Sequence, residues 1–382
     1  MIISALSGER LESPIYLSQS DRSITSLSQI HKGITKVYFD RSIGHLQTNE
    51  IGDVDTYYDK EYQIFDESEE DDILYKVVDG RKVFRQEHQV NTLISKVALT
   101  AGMKILDYGC AKGTVLKRLH ATRPDIEPYL FDVSQMYVHL WDKFLPDSHY
   151  ASYQPRQEWK GTFDLVTSFF AFEHTPDPLK ELASIKELLR PGGQMYMIVP
   201  NVYENTGDFI VADHVHHYSE VSLKYMFEKA GFEVMSVDST SHFAAFIVLA
   251  RSSAPARVFR ADPADLQAVG NKAMDMADFW KELQTRINVF EEKMGDKKAA
   301  IYGAGVYGNF IAASLRNFDR VDFFIDQNPL LDGKTMVGKP VILPKEIPSG
   351  VQLVYVGINP ITARAAMESI DWRGEAPNFF YL

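Results

Sequence analysis

Across residues 104–251, short runs of β-branched and aromatic residues alternate with amphipathic stretches of helical period, and this alternation narrows the choice of fold more than any other feature of the chain. Strands read this way are buried on both faces, so the pattern predicts a parallel sheet covered by helices on its two sides. It opens with a helix expected over 81–99, where Val83, Val90, Leu93, Ile94 and Val97 recur at helical spacing, and with a strand over 104–107. It closes differently. A helix over 223–230 ends at Gly231 and is followed by strands over 232–238 and 243–251. These two lie too close in sequence to be parallel neighbours, which need a crossover of roughly a dozen residues or more, and must pair as an antiparallel hairpin.

Around this core the chain reads as four consecutive segments: 1–80, 81–252, 253–298 and 299–382. The first is polar and weakly periodic, and its acidic run at 66–72 reads as a solvated face. In the third, Met276, Phe279, Leu283, Ile287, Phe290 and Met294 fall at helical spacing and predict a long helix. The fourth restarts a β-α-β pattern and predicts a second, smaller Rossmann-like α/β domain. A net charge of −12 argues against a nucleic-acid partner, because phosphate neutralisation needs clustered Lys and Arg. The longest apolar run, 242–250, is far short of the roughly 20 residues a bilayer requires, so no membrane insertion and a soluble cytoplasmic protein are expected. The single cysteine, Cys110, precludes an internal disulfide or a cysteine-rich zinc site and reads as core packing.

The strand over 104–107 runs into Tyr108-Gly109-Cys110-Ala111-Lys112-Gly113 and then into a helix with Val115, Leu116 and Leu119 on one face. A strand-to-helix turn of small residues lets backbone N–H groups approach a ligand closely. Asp132 follows Asp107 by 25 residues and closes the next strand, where a carboxylate can accept both hydroxyls of a ribose. A fourth strand over 162–168 leads into Phe169, Phe170, Glu173 and His174, which form the rim of the same crevice.

A candidate proton acceptor follows the fifth strand. In Asp213-His214-Val215-His216-His217-Tyr218-Ser219, three histidines fall within four positions, and histidine is the side chain suited to proton transfer near neutral pH. His214 is the expected general base, with Asp213 orienting it or contacting substrate, and His217 is a further candidate that could equally staple the following helix. The spacing lacks the i, i+4 geometry of a helical metal site, and no metal is expected.

The blocks LDYGCAKG, FDV, FDLV, FEHTPDP, LLRPGG and MYMIVPN, in this order between residues 106 and 201, resemble the class I S-adenosylmethionine-dependent methyltransferases. The resemblance covers about 100–251 and implies that family's Rossmann-like sheet, parallel with an antiparallel C-terminal hairpin. It also implies that Asp107, Gly109 and Gly113 shape the pocket for S-adenosylmethionine, that Asp132 binds its ribose, and that Phe169 or Phe170 lines it. Ala111 stands where the family's loop usually has its central glycine. An adenine-contacting acid or amide is expected between Tyr150 and Glu158.

The Asp213-His214 and Tyr218-Ser219 pairs resemble the base-bearing stretch of bacterial C-methyltransferases acting on nucleotide-linked deoxysugars. The segment 40–48 is similar to that family's second zinc knuckle with both cysteines gone, so zinc is expected to be absent. The resemblance implies a nucleotide-sugar or glycan substrate, with Tyr58, Tyr62, Glu173, His174 and Tyr218 facing it. Val211 replaces the family's upstream tyrosine, which favours an oxygen acceptor, whereas the three-part architecture favours carbon.

In the last segment, Gly303-Ala304-Gly305-Val306-Tyr307-Gly308 follows a strand, and Asp326 ends the next one. On chemistry alone this is a dinucleotide fingerprint. By resemblance to nucleotide-sugar-associated domains, Gly303, Gly305 and Asp326 would hold the sugar nucleotide. Two alternatives stay open: an NAD-dependent oxidoreductase, or a module that docks the enzyme on glycosyltransferase machinery. A homodimer is compatible with each.

Overall fold

The computed structural model describes residues 1–52, 72, 74–78, 80–252, 259–358 and 360–382. Contacts group them into two units that are not continuous in sequence: one takes 1–11, 39–206 and 215–270, the other 12–38, 207–214 and 271–382.

The first unit is built on a seven-stranded sheet: β1 (Lys104–Tyr108), β2 (Glu127–Asp132), β3 (Tyr150–Ser152), β4 (Phe163–Phe169), β5 (Leu189–Pro200), β6 (Phe232–Asp238) and β7 (Ala245–Ser252), in the order β3-β2-β1-β4-β5-β7-β6. The expected hairpin is present, with β7 antiparallel to both β5 and β6. Successive residues of each strand face opposite sides, so Leu106, Val166 and Met197 enter one core while Ile105, Leu165 and Ile198 enter another. Helices α1 (Arg85–Lys96) and α2 (Thr114–Thr122) cover one face through Val90, Leu93, Leu116 and Leu119. On the other, α3 (Pro178–Leu188) and α4 (Glu220–Lys229) supply Leu182, Ile185, Leu223, Met226 and Phe227. Local chemistry sets their starts. Asp177 caps α3 by accepting from the Lys180 N–H, with Pro178 in the first turn, and Ser219 and Ser222 form a reciprocal capping box on α4.

The helix expected over 81–99 begins only at Arg85, because Arg81–Phe84 is a strand paired antiparallel with Leu74–Val78. Phe243 and Ala244 belong to the turn rather than to β7, and Ala244 has φ of +50°. The knuckle-like turn after Asp40 is organised by that carboxylate, which accepts from the Ser42 N–H (3.0 Å) and the hydroxyls of Ser42 (2.6 Å) and Ser7 (2.5 Å).

The second unit carries the smaller α/β sheet: β8 (Ala299–Tyr302), β9 (Val321–Ile325), β10 (Thr335–Met336), β11 (Lys339–Ile342), β12 (Leu353–Val356) and β13 (Asn378–Tyr381), ordered β10-β11-β9-β8-β12-β13. All its pairings are parallel except β10 with β11. The long helix expected in the connector is α5 (Pro263–Met294), and its Trp280 stacks on Tyr307 of α6 (Val306–Ser314) at 5.6 Å. No helix among the described residues is long and apolar enough to cross a membrane.

Candidate active site

The carboxyl ends of β1 to β4 share one edge of the first unit's sheet, and the residues assigned to the donor lie there. Gly109 and Gly113 have φ of +75° and +69°, and a Cβ on either would lie 2.7 Å from the Ala171 Cβ or 2.6 Å from the Leu130 Cδ1. Both positions therefore require glycine. Ala111 adopts φ of +45° without that freedom. The turn is tied to β2: the N–H groups of Gly109 and Cys110 donate to the Phe131 carbonyl at 2.9 and 3.0 Å, and the Ala111 N–H donates to Asp132 Oδ2 at 2.7 Å. Asp132 Oδ1 accepts from the Ser134 N–H at 3.1 Å, so the carboxylate is fixed in orientation beside the turn.

Asp107 lies beneath, fully buried, and accepts from the Thr167 hydroxyl at 3.0 Å. Burial raises its carboxyl to about 7, with the Thr167 hydrogen bond opposing and the neighbouring Asp132 charge assisting. Burial also raises Asp132, against the backbone N–H groups that stabilise its charge, and pushes the Cys110 thiol well up, with Asp132 and Asp107 adding to the effect.

Phe169 ends β4. Phe170, at φ of +55°, carries the Arg85 guanidinium 4.1 Å from its ring and packs against His242 at 5.5 Å. Two residues missed in the sequence complete this edge. Val133, directly after Asp132, is 55% exposed, and Tyr153, after β3, is 51% exposed with φ of +62° and donates its N–H to the Asp132 carbonyl at 2.9 Å. Tyr153 falls in the interval 150–158 but is neither the acid nor the amide expected there. Its signal, an aromatic residue just past a strand end, is too common to single out. Left-handed non-glycine residues thus occur at the turns after β1, β3, β4 and β6.

The residues assigned to the acceptor separate into three groups. In the first unit, Glu173 is buried and His174 half-buried in the loop after β4; the Glu173 carbonyl accepts from the His216 N–H at 3.1 Å. Tyr218 is fully buried and donates its hydroxyl to the Phe172 carbonyl at 3.0 Å, while His217 Nε2 meets the Thr48 hydroxyl at 2.9 Å. Both side chains are buried and hydrogen-bonded within the first unit. His216 pairs with His45 at 2.9 Å, and burial holds both imidazoles below their ordinary range, His216 at about 4.

In the second unit, the acid on His214 is not Asp213. Asp213 is buried and accepts from the N–H (2.7 Å) and hydroxyl (2.6 Å) of Ser26. His214 Nδ1 instead meets Asp208 Oδ1 at 2.6 Å. Also in this unit, Asp326 accepts from the N–H groups of Ala304 and Asn328, each at 2.8 Å, repeating the arrangement of Asp132 on its own turn. Gly303 (φ +99°) and Gly308 are forced by packing, since a Cβ would lie 2.4 Å from the Gly357 carbonyl and 1.9 Å from the Gly303 carbonyl, whereas Gly305 faces open space. Tyr58 and Tyr62 lie outside the described residues.

Residues 83–237 match a family described as "Methyltransferase domain". The chain is 31% identical over 134 residues to the ubiquinone biosynthesis O-methyltransferase of Aromatoleum aromaticum, covering 32% of this chain and 56% of that protein. It is 32% identical over 127 residues to the enzyme of the same name from Nitrosococcus oceani, covering 31% and 54%. It thus spans about half the length of these curated relatives. A S-adenosylmethionine-dependent methyltransferase structure from Aquifex aeolicus aligns with 43% of this chain and 89% of its own, at 23% identity and a TM-score of 0.36. Sheet order, glycine turn and family match agree: residues 83–237 are a methyltransferase domain, and its methyl donor is S-adenosylmethionine.

Proposed function

We propose that the whole chain transfers the methyl group of S-adenosylmethionine to a hydroxyl of a nucleotide-linked or glycan sugar. The observation that carries the donor half is Asp132, whose carboxylate is oriented by Ala111 and Ser134 at the end of β2, beside a turn that only glycine can make at 109 and 113. A ribose diol donates two hydrogen bonds to a carboxylate held this way. Val133 and Tyr153 offer exposed apolar surface for the base on the same edge. When bound, the sulfonium supplies an activated methyl group. The chain's own task is to hold the acceptor in line with it and to take up the proton. The base assigned from sequence is His214, whose Nδ1 meets a carboxylate oxygen of Asp208.

An oxygen acceptor is supported by the O-methyltransferase names of the relatives and by Val211 in place of a second proton-handling tyrosine. The sugar-nucleotide class is supported by the second unit's turn, where Gly305 leaves room that packing does not use and Asp326 mirrors Asp132.

Calorimetry with S-adenosylhomocysteine tests the donor half. Asp132→Ala should weaken binding by about 100-fold or more, the worth of two hydrogen bonds to a charged group, and near-normal affinity would refute the assignment. Mass-spectrometric detection of methyl transfer to uridine- and thymidine-diphosphate sugars, with catechol as the non-sugar comparison, tests the acceptor class.

A further inference from the structure

The second unit repeats the hydrogen-bond scheme of the first unit's glycine turn. In the first, the Gly109 N–H donates to the Phe131 carbonyl at 2.9 Å, and Asp132 accepts from the Ala111 and Ser134 N–H groups. In the second, the Gly303 N–H donates to the Ile325 carbonyl at 2.7 Å, and Asp326 accepts from the Ala304 N–H on Oδ2 and the Asn328 N–H on Oδ1, each at 2.8 Å. Among the described residues, each Asp326 oxygen spends one of its two lone pairs on backbone, so two acceptor positions remain side by side. The turn also stands where the sheet changes direction: β8 lies between β9 and β12, and open α/β sheets bind ligands outside the carboxyl ends of strands at such a point. Folding does not explain the middle glycine. Gly303 and Gly308 are forced by close backbone approach, but Gly305 has φ of −94° and ψ of −163°, a conformation open to any residue, and a Cβ there would meet nothing within 4 Å. What this glycine provides is room for a ligand to approach the start of α6, where the helix dipole favours an anion. Tyr302 closes β8 at 3% exposure, and its hydroxyl lies beside Asp326 and Gln327 without completing a hydrogen bond among the described residues. A buried donor of this kind is costly until a ligand supplies its acceptor.

We propose that the second unit binds a ribonucleoside 5′-diphosphate, with Asp326 accepting both hydroxyls of the ribose and the diphosphate lying over Gly305 at the start of α6. This deepens the sugar-nucleotide reading above, on which it rests, by fixing the sugar of the carrier as ribose. A thymidine diphosphate carries a 2′-deoxyribose, which offers one hydroxyl where the carboxylate has two positions. A site built to hydrogen-bond a hydroxyl rejects the analogue that lacks it, because its own polar group is left unmatched. Nucleotide sugars and adenine dinucleotides share the ribonucleoside diphosphate, and the choice between them lies in what is attached to its far phosphate.

Calorimetry on the full chain with uridine diphosphate (UDP), 2′-deoxy-UDP, UDP-glucose and NAD+ tests this. UDP should bind, and 2′-deoxy-UDP should bind about 10- to 100-fold more weakly, the worth of one hydrogen bond to a charged group, in a comparison that needs no variant. Asp326→Ala should weaken UDP by about 100-fold or more. Gly305→Val should close the opening and remove UDP binding without lowering Tm, since neither φ nor packing demands glycine there. Saturating S-adenosylhomocysteine should leave the affinity for UDP unchanged; displacement would put the nucleotide in the first unit's crevice and overturn the proposal. Equal affinity for UDP and 2′-deoxy-UDP, or UDP binding untouched by Asp326→Ala, overturns it as well. The two failures are distinct. Absence of binding by all four ligands at millimolar concentration defeats the site, whereas NAD+ bound far more tightly than UDP-glucose upholds the ribonucleoside-diphosphate site and defeats the sugar-nucleotide reading.

Discussion

Ala111 illustrates how a single residue can satisfy a motif chemically while resisting it conformationally. Its φ of +45° is a left-handed conformation that costs an L-residue roughly 1–2 kcal/mol. Ala111→Gly relieves this and gives back part of the gain as unfolded-state entropy, so denaturant melts should show about 0.5–1 kcal/mol of stabilisation. Gly113→Ala should lose about 1–3 kcal/mol, because its Cβ would meet Leu130. Asp107 makes a pH prediction. Its folded carboxyl is raised from 3.8 to about 7, so the folded state binds the extra proton, and its contribution to stability is complete below about pH 4 and lost as pH rises to about 7. Asp107→Asn should therefore flatten the decline in Tm between pH 5 and 8, and an unchanged profile would exclude this origin. The glycine turn and Asp132 were legible in sequence because each acts within a few residues of a strand end. Asp208 was not, since its pairing arises from two consecutive turns that leave no periodic trace, and the neighbouring Asp213 offered a nearer but misdirected acid.

At the scale of elements, the alternation of strand and helix was readable because each crossover strand is apolar on both faces and each helix on one. Short strands were not. Arg81–Phe84 alternates over only four residues, and Val83 happens to continue the helical spacing of Val90, Leu93 and Val97. The pairing of His45–Thr48 with His216–His217 was equally hidden, because the partners are distant in sequence and polar. That pairing buries the His45 and His216 rings together. Since His216 falls from 6.5 to about 4, stability from this pair is complete above about pH 6.5 and drains away as pH falls toward 4. The sign is opposite to that of Asp107. His216→Gln should reduce the loss in urea midpoint between pH 7 and 4.5, and an equally steep loss would place the acid sensitivity elsewhere.

For the whole molecule, the two α/β sheets could be read from the two strand–glycine-turn–helix signatures, but the grouping of segments could not. Nothing in the composition of 12–38 or 207–214 announces that they pack with 271–382. Truncation after Ser252 should therefore do more than remove a domain. It strips two internal segments of their core, and the fragment should show exposed apolar surface by dye binding and a broad melt rather than a cooperative one. A sharp, wild-type-like melt would argue against this grouping. The same threading has a consequence for biogenesis. The strands of the seven-stranded sheet are all synthesised by Ser252, whereas the segment 207–214 groups with residues 271–382, which emerge later. A nascent polypeptide of this kind gathers the strands of its larger sheet first, and the segment 207–214 finds its packing partners last.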